Sequence, residues 1–307
     1  MPRSLTVEAP SELLAYLFES WPDLKKKQVR TWLKVGAVSV NGRSVTQFDH
    51  RLCRGDVVSV NTDRAAVERQ QAERAALCDL EIRFEDDDLL VVEKPSGLLS
   101  VATETGREGT AYRQLTEYLK QRHPRSRERV WIVHRLDRET SGLMVFAKTA
   151  EAKRSLQSNW DAAVKRYRAV VEGRMPEAAR GELESDLNES NPHKVFSARP
   201  SELTRHAVTR YEVVAIAAER TLVELTLETG RRHQIRVHLA DAGYPVVGDE
   251  RYGASTNPAK RLALHATGLA FAHSRTGAHL AFDSPLPKEL ARLMGPEASL
   301  VWSRARG

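Results

Sequence analysis

Cysteine is scarce in this chain and long hydrophobic runs are missing. Two cysteines, Cys53 and Cys78, in 307 residues build neither a disulfide framework nor a zinc cluster, which fits a reducing compartment. The longest apolar stretches, such as Leu-Leu-Val-Val at 89–92, are far too short to cross a bilayer. The N-terminus, MPRSLTVEAPSELL, has no apolar core behind a basic flank, so no secretory leader is expected. These absences point to a cytoplasmic protein with no membrane partner. Metal and nucleotide motifs are missing too. His233 and His238 are five apart, which does not put them on one helical face, and no His-Glu-x-x-His is present. GDERYG at 248–253 has too few glycines and no Gly-Lys-Ser/Thr to be a phosphate-binding loop. What is present is a soluble, globular composition, 29% charged and 41% apolar, in a chain long enough for a large core and more than one domain. The net charge of +6 and a pI near 9.4 suggest a polyanionic partner.

The first 62 residues read as a small domain. SELLAYLFES at 11–20 places Leu13, Leu14, Leu17 and Phe18 on one helical face, with Ser11 as the expected N-cap. LKKKQVRTWLKV at 24–35 repeats the pattern, with Val29, Trp32 and Leu33 inward and Lys26, Arg30 and Lys34 outward. Gly36 is a suitable helix stop. AVSVNGRSVT then holds two short alternating runs around Asn41-Gly42, a hairpin turn in which both positions need positive φ. DVVSV at 56–60 is a last strand. Residues 63–78, Ala-rich and free of Gly and Pro from 64 to 77, read as a helical linker.

A larger domain spans 79–307. Its expected strands are 89–94, 142–148, 165–173, 206–214 and 221–228, and its expected helices 110–122, 150–160 and 232–241. Residues 174–205 lack a clear period and are expected to be loops and a short strand. Strands mixed with helices, without regular βα alternation, imply an α+β fold with a mixed, mainly antiparallel sheet.

Two resemblances follow from the motifs. KKKQVRTWLKVGAVSVNGRSV and HRLCRGDVVSV, within residues 11–61, resemble the S4 domain, a small α/β RNA-binding module. Lys25, Lys26, Lys27, Arg30, Lys34 and Arg43 would then meet RNA phosphates, with Arg51 extending the patch. Aromatic stacking groups are few here, which favours recognition of RNA shape and backbone. HRLDRETSGLMVFAK at 134–148 resembles the signature of the RluA family of pseudouridine synthases, in which the aspartate of His-Arg-Leu-Asp is catalytic. EKPSGLLS at 93–100, KRYRA at 165–169, TGRRHQIRVHLA at 229–240, GDERYG and LALHA at 262–266 follow in the family's order over roughly residues 80–295. The segment after GLLS lacks the His-Pro often found there.

The resemblance implies isomerisation of uridine: the N1–C1′ bond breaks, the base turns, and C5 bonds to C1′. Nothing is added or removed, so no metal, redox cofactor or nucleotide is expected. Asp137 is the expected carboxylate, either attacking C1′ or assisting deprotonation at C2′. Arg236 is its expected cationic partner, able to hold a carboxylate in a bidentate fork. Tyr167 alternates with Ala169 and Val171, opposite Arg166 and Arg168. Facing inward, it would stack on the uracil and later take the C5 proton. Ile235 would pack on the other face of the base. Arg135 would fill the gap left by the extruded nucleotide or bind a flanking phosphate. Thr140, Ser141 and Gly142 would shape the turn that presents Asp137. His134, Arg231 and Lys94 are further expected substrate contacts, a structural role being the alternative for Lys94. The implied partner is structured RNA, ribosomal first and transfer RNA second, and nothing demands more than a monomer. The competing reading is a non-catalytic RNA-binding or ribosome-assembly factor on the same fold.

Overall fold

The computed structural model describes residues 3–22, 26–34, 37–45, 48–61, 80–102, 109–122, 129–177 and 179–295. The chain divides into two compact units, Met1–Asp79 and Leu80–Gly307. The expected helical linker, 64–77, lies outside the described residues, as do Gly36 and Lys25.

In the first unit, β1 (Arg3–Thr6), β3 (Val38–Val40), β4 (Arg43–Ser44) and β6 (Val57–Val60) form an antiparallel sheet in the order β1-β6-β3-β4. Helices Leu13–Ser20 and Lys26–Lys34 share its core: Leu13, Leu17, Val29 and Leu33 pack with Val38, Val40, Val58 and Val60. Trp32 packs against this core while only partly buried. Asn41 and Gly42 take φ of 51° and 78°, the positive values the hairpin demands. Ser11 is not the N-cap. Glu12 occupies that position without a side-chain cap bond, because β2 (Ser11–Glu12) pairs with β5 (Arg51–Leu52). Strand β1 has no strong apolar alternation in sequence and forms by pairing along β6 from Arg3–Val60 to Thr6–Val57.

The described residues of the second unit form eleven strands: β7 (Glu81–Glu85), β8 (Leu89–Lys94), β9 (Trp131–Ile132), β10 (Ser141–Ala147), β11 (Val164–Glu172), β12 (Arg180–Asn188), β13 (Phe196–Ala198), β14 (Thr204–Ile216), β15 (Arg220–Leu227), β16 (Leu264–Ala272) and β17 (His279–Asp283). Their order is β13-β12-β14-β15-β11-β16-β10-β8-β7, with β17 on β16 and β9 on β10. Among the described pairings β10 and β16 run parallel and the rest antiparallel. The fold is therefore α+β with a mixed, mainly antiparallel sheet. Helices Ala111–Arg122, Ala150–Ser158 and Gln234–Asp241 and the short Lys288–Ala291 accompany it.

Three departures from the sequence reading have physical causes. Residues 180–188, expected to be mostly loop, form the nine-residue strand β12, paired with β14 throughout. Its inward residue Leu187 is buried and most of its other residues are not, so no apolar alternation marks it. Strand β16 is buried along nearly its whole length, and its LHATGLAFA run of small residues carries little β-branched signal. The helix expected from 232 starts at Gln234, because His233 is left-handed and Arg232 lies outside. The expected stacking of Arg236 one turn above Arg232 therefore does not occur.

Cross-strand register sets the position of the site. Tyr167 of β11 pairs with Ala266 of β16, and Ala266 with Gly142 of β10. Gly142 does not shape a turn, as the sequence suggested. It lies in the strand with φ 118°, and a Cβ there would stand 2.3 Å from the Ala266 carbonyl oxygen. Two backbones meet there that no side chain could separate. Between Arg166 and Tyr167 the β11–β16 register slips, so Thr267 of β16 is an extra residue. Such a bulge re-aims the neighbouring side chains.

Candidate active site

The segment 133–140 links β9 to β10 and is pinned by the segment after β8. Ser100 Oγ donates to the Leu136 carbonyl at 2.7 Å and accepts from the Leu136 N–H at 3.1 Å. Gly97 N–H donates to the Arg138 carbonyl at 2.8 Å, and Arg138 Nε returns a bond to the Gly97 carbonyl at 3.0 Å. Ser96 Oγ donates to the Glu139 carbonyl at 2.6 Å. Lys94, fully buried, donates from Nζ to the carbonyls of Pro95, Leu98 and Arg138 at 2.9, 2.8 and 3.2 Å. Burial pushes its pKa down to about 7, against the raising influence of Asp137 and Glu139. With the main chain held on both sides, Asp137 turns its side chain into a cavity of about 320 Å³, within the ~300–1,000 Å³ range of small-ligand pockets.

Asp137 Oδ2 lies 3.4 Å from Arg236 Nη1 and 3.9 Å from His233 Nε2. Arg236 comes from helix Gln234–Asp241, and its fork is closed on a different acid. Nε and Nη2 donate to Asp249 Oδ2 and Oδ1 at 2.7 and 2.8 Å, with Asp249 almost wholly buried. Burial works against the Arg236 charge. The hydrogen bonds and charge of Asp249, with Asp137 and Glu139 beyond, outweigh it and raise its pKa above the ordinary value. The guanidinium also stands 5.1 Å above the Tyr252 ring.

Tyr167, Ile235, Leu136, Leu227 and Leu264 give the cavity its apolar lining. Burial, then the Asp137 charge, pushes the Tyr167 phenol up, so it holds its proton. Lys165 shares the Tyr167 face of β11, lines the same cavity, and donates to the Trp160 carbonyl at 3.2 Å. Gln234 is bound at both ends of its amide. Oε1 accepts from Thr229 Oγ1 and Arg231 N–H, and Nε2 donates to the Val208 carbonyl and Thr209 Oγ1. It locks the helix start to β14.

The family model described as RNA pseudouridylate synthase matches residues 88–241, the stretch that contains Asp137, Tyr167 and Arg236. "Ribosomal large subunit pseudouridine synthase D" of Vibrio cholerae is 34% identical over 296 residues, 90% of this chain and 87% of that protein. "Uncharacterized RNA pseudouridine synthase YlyB" of Bacillus subtilis is 34% identical over 283 residues, 91% of each chain. The chain belongs to the RNA pseudouridylate synthase family. The solved structure of "Human RNA Pseudouridylate Synthase Domain Containing 4" shares the fold, with a TM-score of 0.60 and 26% identity over 74% of this chain and 97% of that one. This synthase is thus an enzyme by family.

Of the residues singled out in the synthase sequence, Asp137, Tyr167, Arg236, Ile235, Arg135, Arg231 and His134 line one cavity. Arg135 and Arg231 are exposed at it, Arg231 also bonding the His206 carbonyl at 3.1 Å. Three expectations need correction. Lys94 does not reach the cavity, because its ammonium is spent on three loop carbonyls. His134 does not present a free ring. Its Nε2 accepts the Val145 N–H at 3.1 Å, it stacks on Trp160 at 4.5 Å, and burial with Lys165 pushes its pKa down to about 3. Arg236 gives its bidentate fork to Asp249 and only one nitrogen to Asp137. The sequence reading missed Asp249, Tyr252 and His233 as site residues. Each lay inside a quoted motif, yet their roles come from contacts that spacing does not show. Lys165 was legible in principle, two residues before Tyr167 in an alternating strand.

In the first unit, the described side chains of the expected RNA face are Lys26 and Arg30, exposed one turn apart on a helix, and Arg51, exposed on β5. Lys27, Lys34 and Arg43 lie on the expected elements, but their side chains fall outside the described residues. No helix of the described residues is long and apolar enough to cross a membrane. Asp86, Asp88 and His273 converge away from the cavity, and their atoms are engaged internally. Asp86 Oδ2 meets His273 Nε2 at 2.8 Å, and Arg275 Nε donates to Asp88 Oδ2 at 2.7 Å.

Proposed function

We propose that this synthase converts uridine to pseudouridine in large-subunit ribosomal RNA, in the cytoplasm, with Asp137 as the acting carboxylate. The observation that carries the reading is Asp137 Oδ2, 3.4 Å from a guanidinium that Asp249 holds from behind, in the cavity that Tyr167 and Ile235 also line. An extruded uridine would lie between the Tyr167 ring and Ile235. Asp137 would act at C1′, or take the C2′ proton, while the N1–C1′ bond breaks. The free uracil, its N1 keeping the electron pair of the broken bond, turns on its apolar platform. C5 bonds to C1′ as Asp137 releases C1′ or returns the C2′ proton. The C5 proton passes to solvent while N1 takes one up, so that no atom is gained or lost. Tyr167, whose phenol burial pushes up, suits the platform role. Arg135 and Arg231, exposed at the cavity, would take the phosphates beside the target.

The ribosomal target rests on the printed names of relatives such as the Vibrio cholerae protein. The first unit, with Lys26 and Arg30 exposed on one helix, would serve as an S4-like RNA-binding module. The test maps pseudouridines in ribosomal and transfer RNA with and without the gene, and repeats the reaction with purified enzyme. One ribosomal uridine should lose its modification, and Asp137→Asn should lower turnover by at least about 10³-fold. Modification that persists in Asp137→Asn defeats the assignment. A transfer RNA uridine lost in its place defeats the ribosomal target.

A further inference from the structure

His233 lines the cavity beside Asp137 with its side chain only 10% exposed. Its backbone is left-handed, φ 54° and ψ 16°. A non-glycine residue persists in that region when its surroundings hold it there. Val195 donates its N–H to Tyr252 Oη at 3.0 Å. Tyr252 Oη lies 2.8 Å from His233 Nδ1, and the two rings meet edge to face at 5.7 Å. On its other side, His233 Nε2 lies 3.9 Å from Asp137 Oδ2.

This chain of donors selects a tautomer. The Tyr252 oxygen accepts from Val195, so its own hydrogen is free to go to His233 Nδ1. The imidazole proton then sits on Nε2 and faces a carboxylate. The other tautomer would set a lone pair against Oδ2. The ring is neutral: burial, then the charges of Arg236, Arg251 and Arg232, push its pKa down to about 3. A neutral N–H donor and a carboxylate acceptor therefore stand 3.9 Å apart. That is too far for a mutual hydrogen bond and close enough to share a third atom. The shared atom must accept from one and donate to the other. Among the groups of the target nucleotide, uracil oxygens only accept and its N–H only donates, whereas the ribose hydroxyl does both, as the water it would displace does.

We propose that His233 and Asp137 together grip the 2′-hydroxyl of the target ribose, so that the site reads RNA against DNA at the nucleotide it modifies. The assignment rests on the reaction proposed above: with Asp137 at C1′, the hydroxyl on the adjoining carbon is the one within reach. His233 Nε2–H donates to the hydroxyl oxygen, and the hydroxyl donates to Asp137 Oδ2. Tyr252 is a positioning residue that sets the tautomer.

The test uses a ribosomal RNA fragment in which the wild-type enzyme converts one uridine, made with ribose or 2′-deoxyribose at that nucleotide. For the wild type, kcat/KM falls by about 100-fold or more when the hydroxyl is removed. His233→Asn tolerates the left-handed backbone but is too short to reach the hydroxyl. It loses activity on the all-ribose RNA, and its further loss on the deoxy RNA is at least about 5-fold smaller than the wild type's, because the His233 half of the grip is already gone while Asp137 still accepts from the hydroxyl. Tyr252→Phe narrows the same ratio to a smaller extent. Each ratio compares two RNAs with one protein preparation, so partial misfolding of a variant cancels. An equal deoxy penalty in wild type and His233→Asn overturns the proposal, as does full activity of His233→Asn. Failure of the underlying reaction looks different: the wild type then leaves the all-ribose uridine unconverted.

Discussion

Arg236 reaches Asp249 through Nε and Nη2 at 2.7 and 2.8 Å and Asp137 through Nη1 at 3.4 Å. The short pair sits where water does not reach, so each partner depends on the other. Asp249→Ala leaves a buried guanidinium with only the more distant acids Asp137 and Glu139, at 3.4 and 3.7 Å. A stability loss of about 3–5 kcal/mol is expected, with a fall in kcat, because the arginine swings toward whatever acid remains. Urea unfolding and single-turnover kinetics measure the two effects, and a variant unchanged in both contradicts the arrangement. Asp137, Tyr167 and Arg236 were legible in the sequence because each sits in a motif of distinctive composition. Asp249 was not, since GDERYG shows an acid in a turn and gives no sign of which cation it will meet. His233 was passed over for a related reason. Its left-handed φ is a property of the folded backbone and leaves no mark in residue type.

At the scale of elements, the close pairing of β10 with β16 governs where the Asp137 segment ends. Gly142→Ala would put a methyl group 2.3 Å from a carbonyl oxygen that belongs to a strand and cannot swing aside. Its positive φ adds strain. The variant should lose about 3 kcal/mol, seen as a lower urea midpoint, and should lose activity at temperatures where it remains folded. A fully stable, fully active variant would show that the two strands can part at no cost. Strands with an apolar period, β8, β10, β11, β14 and β15, were readable within a residue or two of their ends. Strand β12 was not, because an exposed strand of charged residues gains its order from β14 and not from a core of its own.

Across the whole molecule, the second unit stores several neutral histidines. Burial pushes His134 and His233 down to about 3 and His238 and His265 to about 4, from an ordinary value of 6.5. Between the folded and unfolded values the unfolded chain binds more protons, so stability falls as pH falls. The contribution is complete above about pH 6.5 and is lost as pH drops through the folded values. The melting temperature should be level from pH 8 to 7 and decline steadily from pH 6 to 4 at constant ionic strength. A level profile down to pH 4 would mean that these rings are already protonated in the fold. The sequence pattern breaks after residue 60, and the chain divides between Asp79 and Leu80. The strand β1 that completes the first sheet was hidden, since its partner β6 lies more than fifty residues away.

Ser141 Oγ and His265 Nδ1 stand 2.8 Å apart and 124 positions apart along the chain. A ribosome making this protein must therefore deliver nearly all of it before the strand behind Asp137 can find its neighbour. Nascent chains halted short of residue 249 would carry the acid, the tyrosine and the arginine, yet lack both the carboxylate that holds the arginine and the strand that lines up behind the acid.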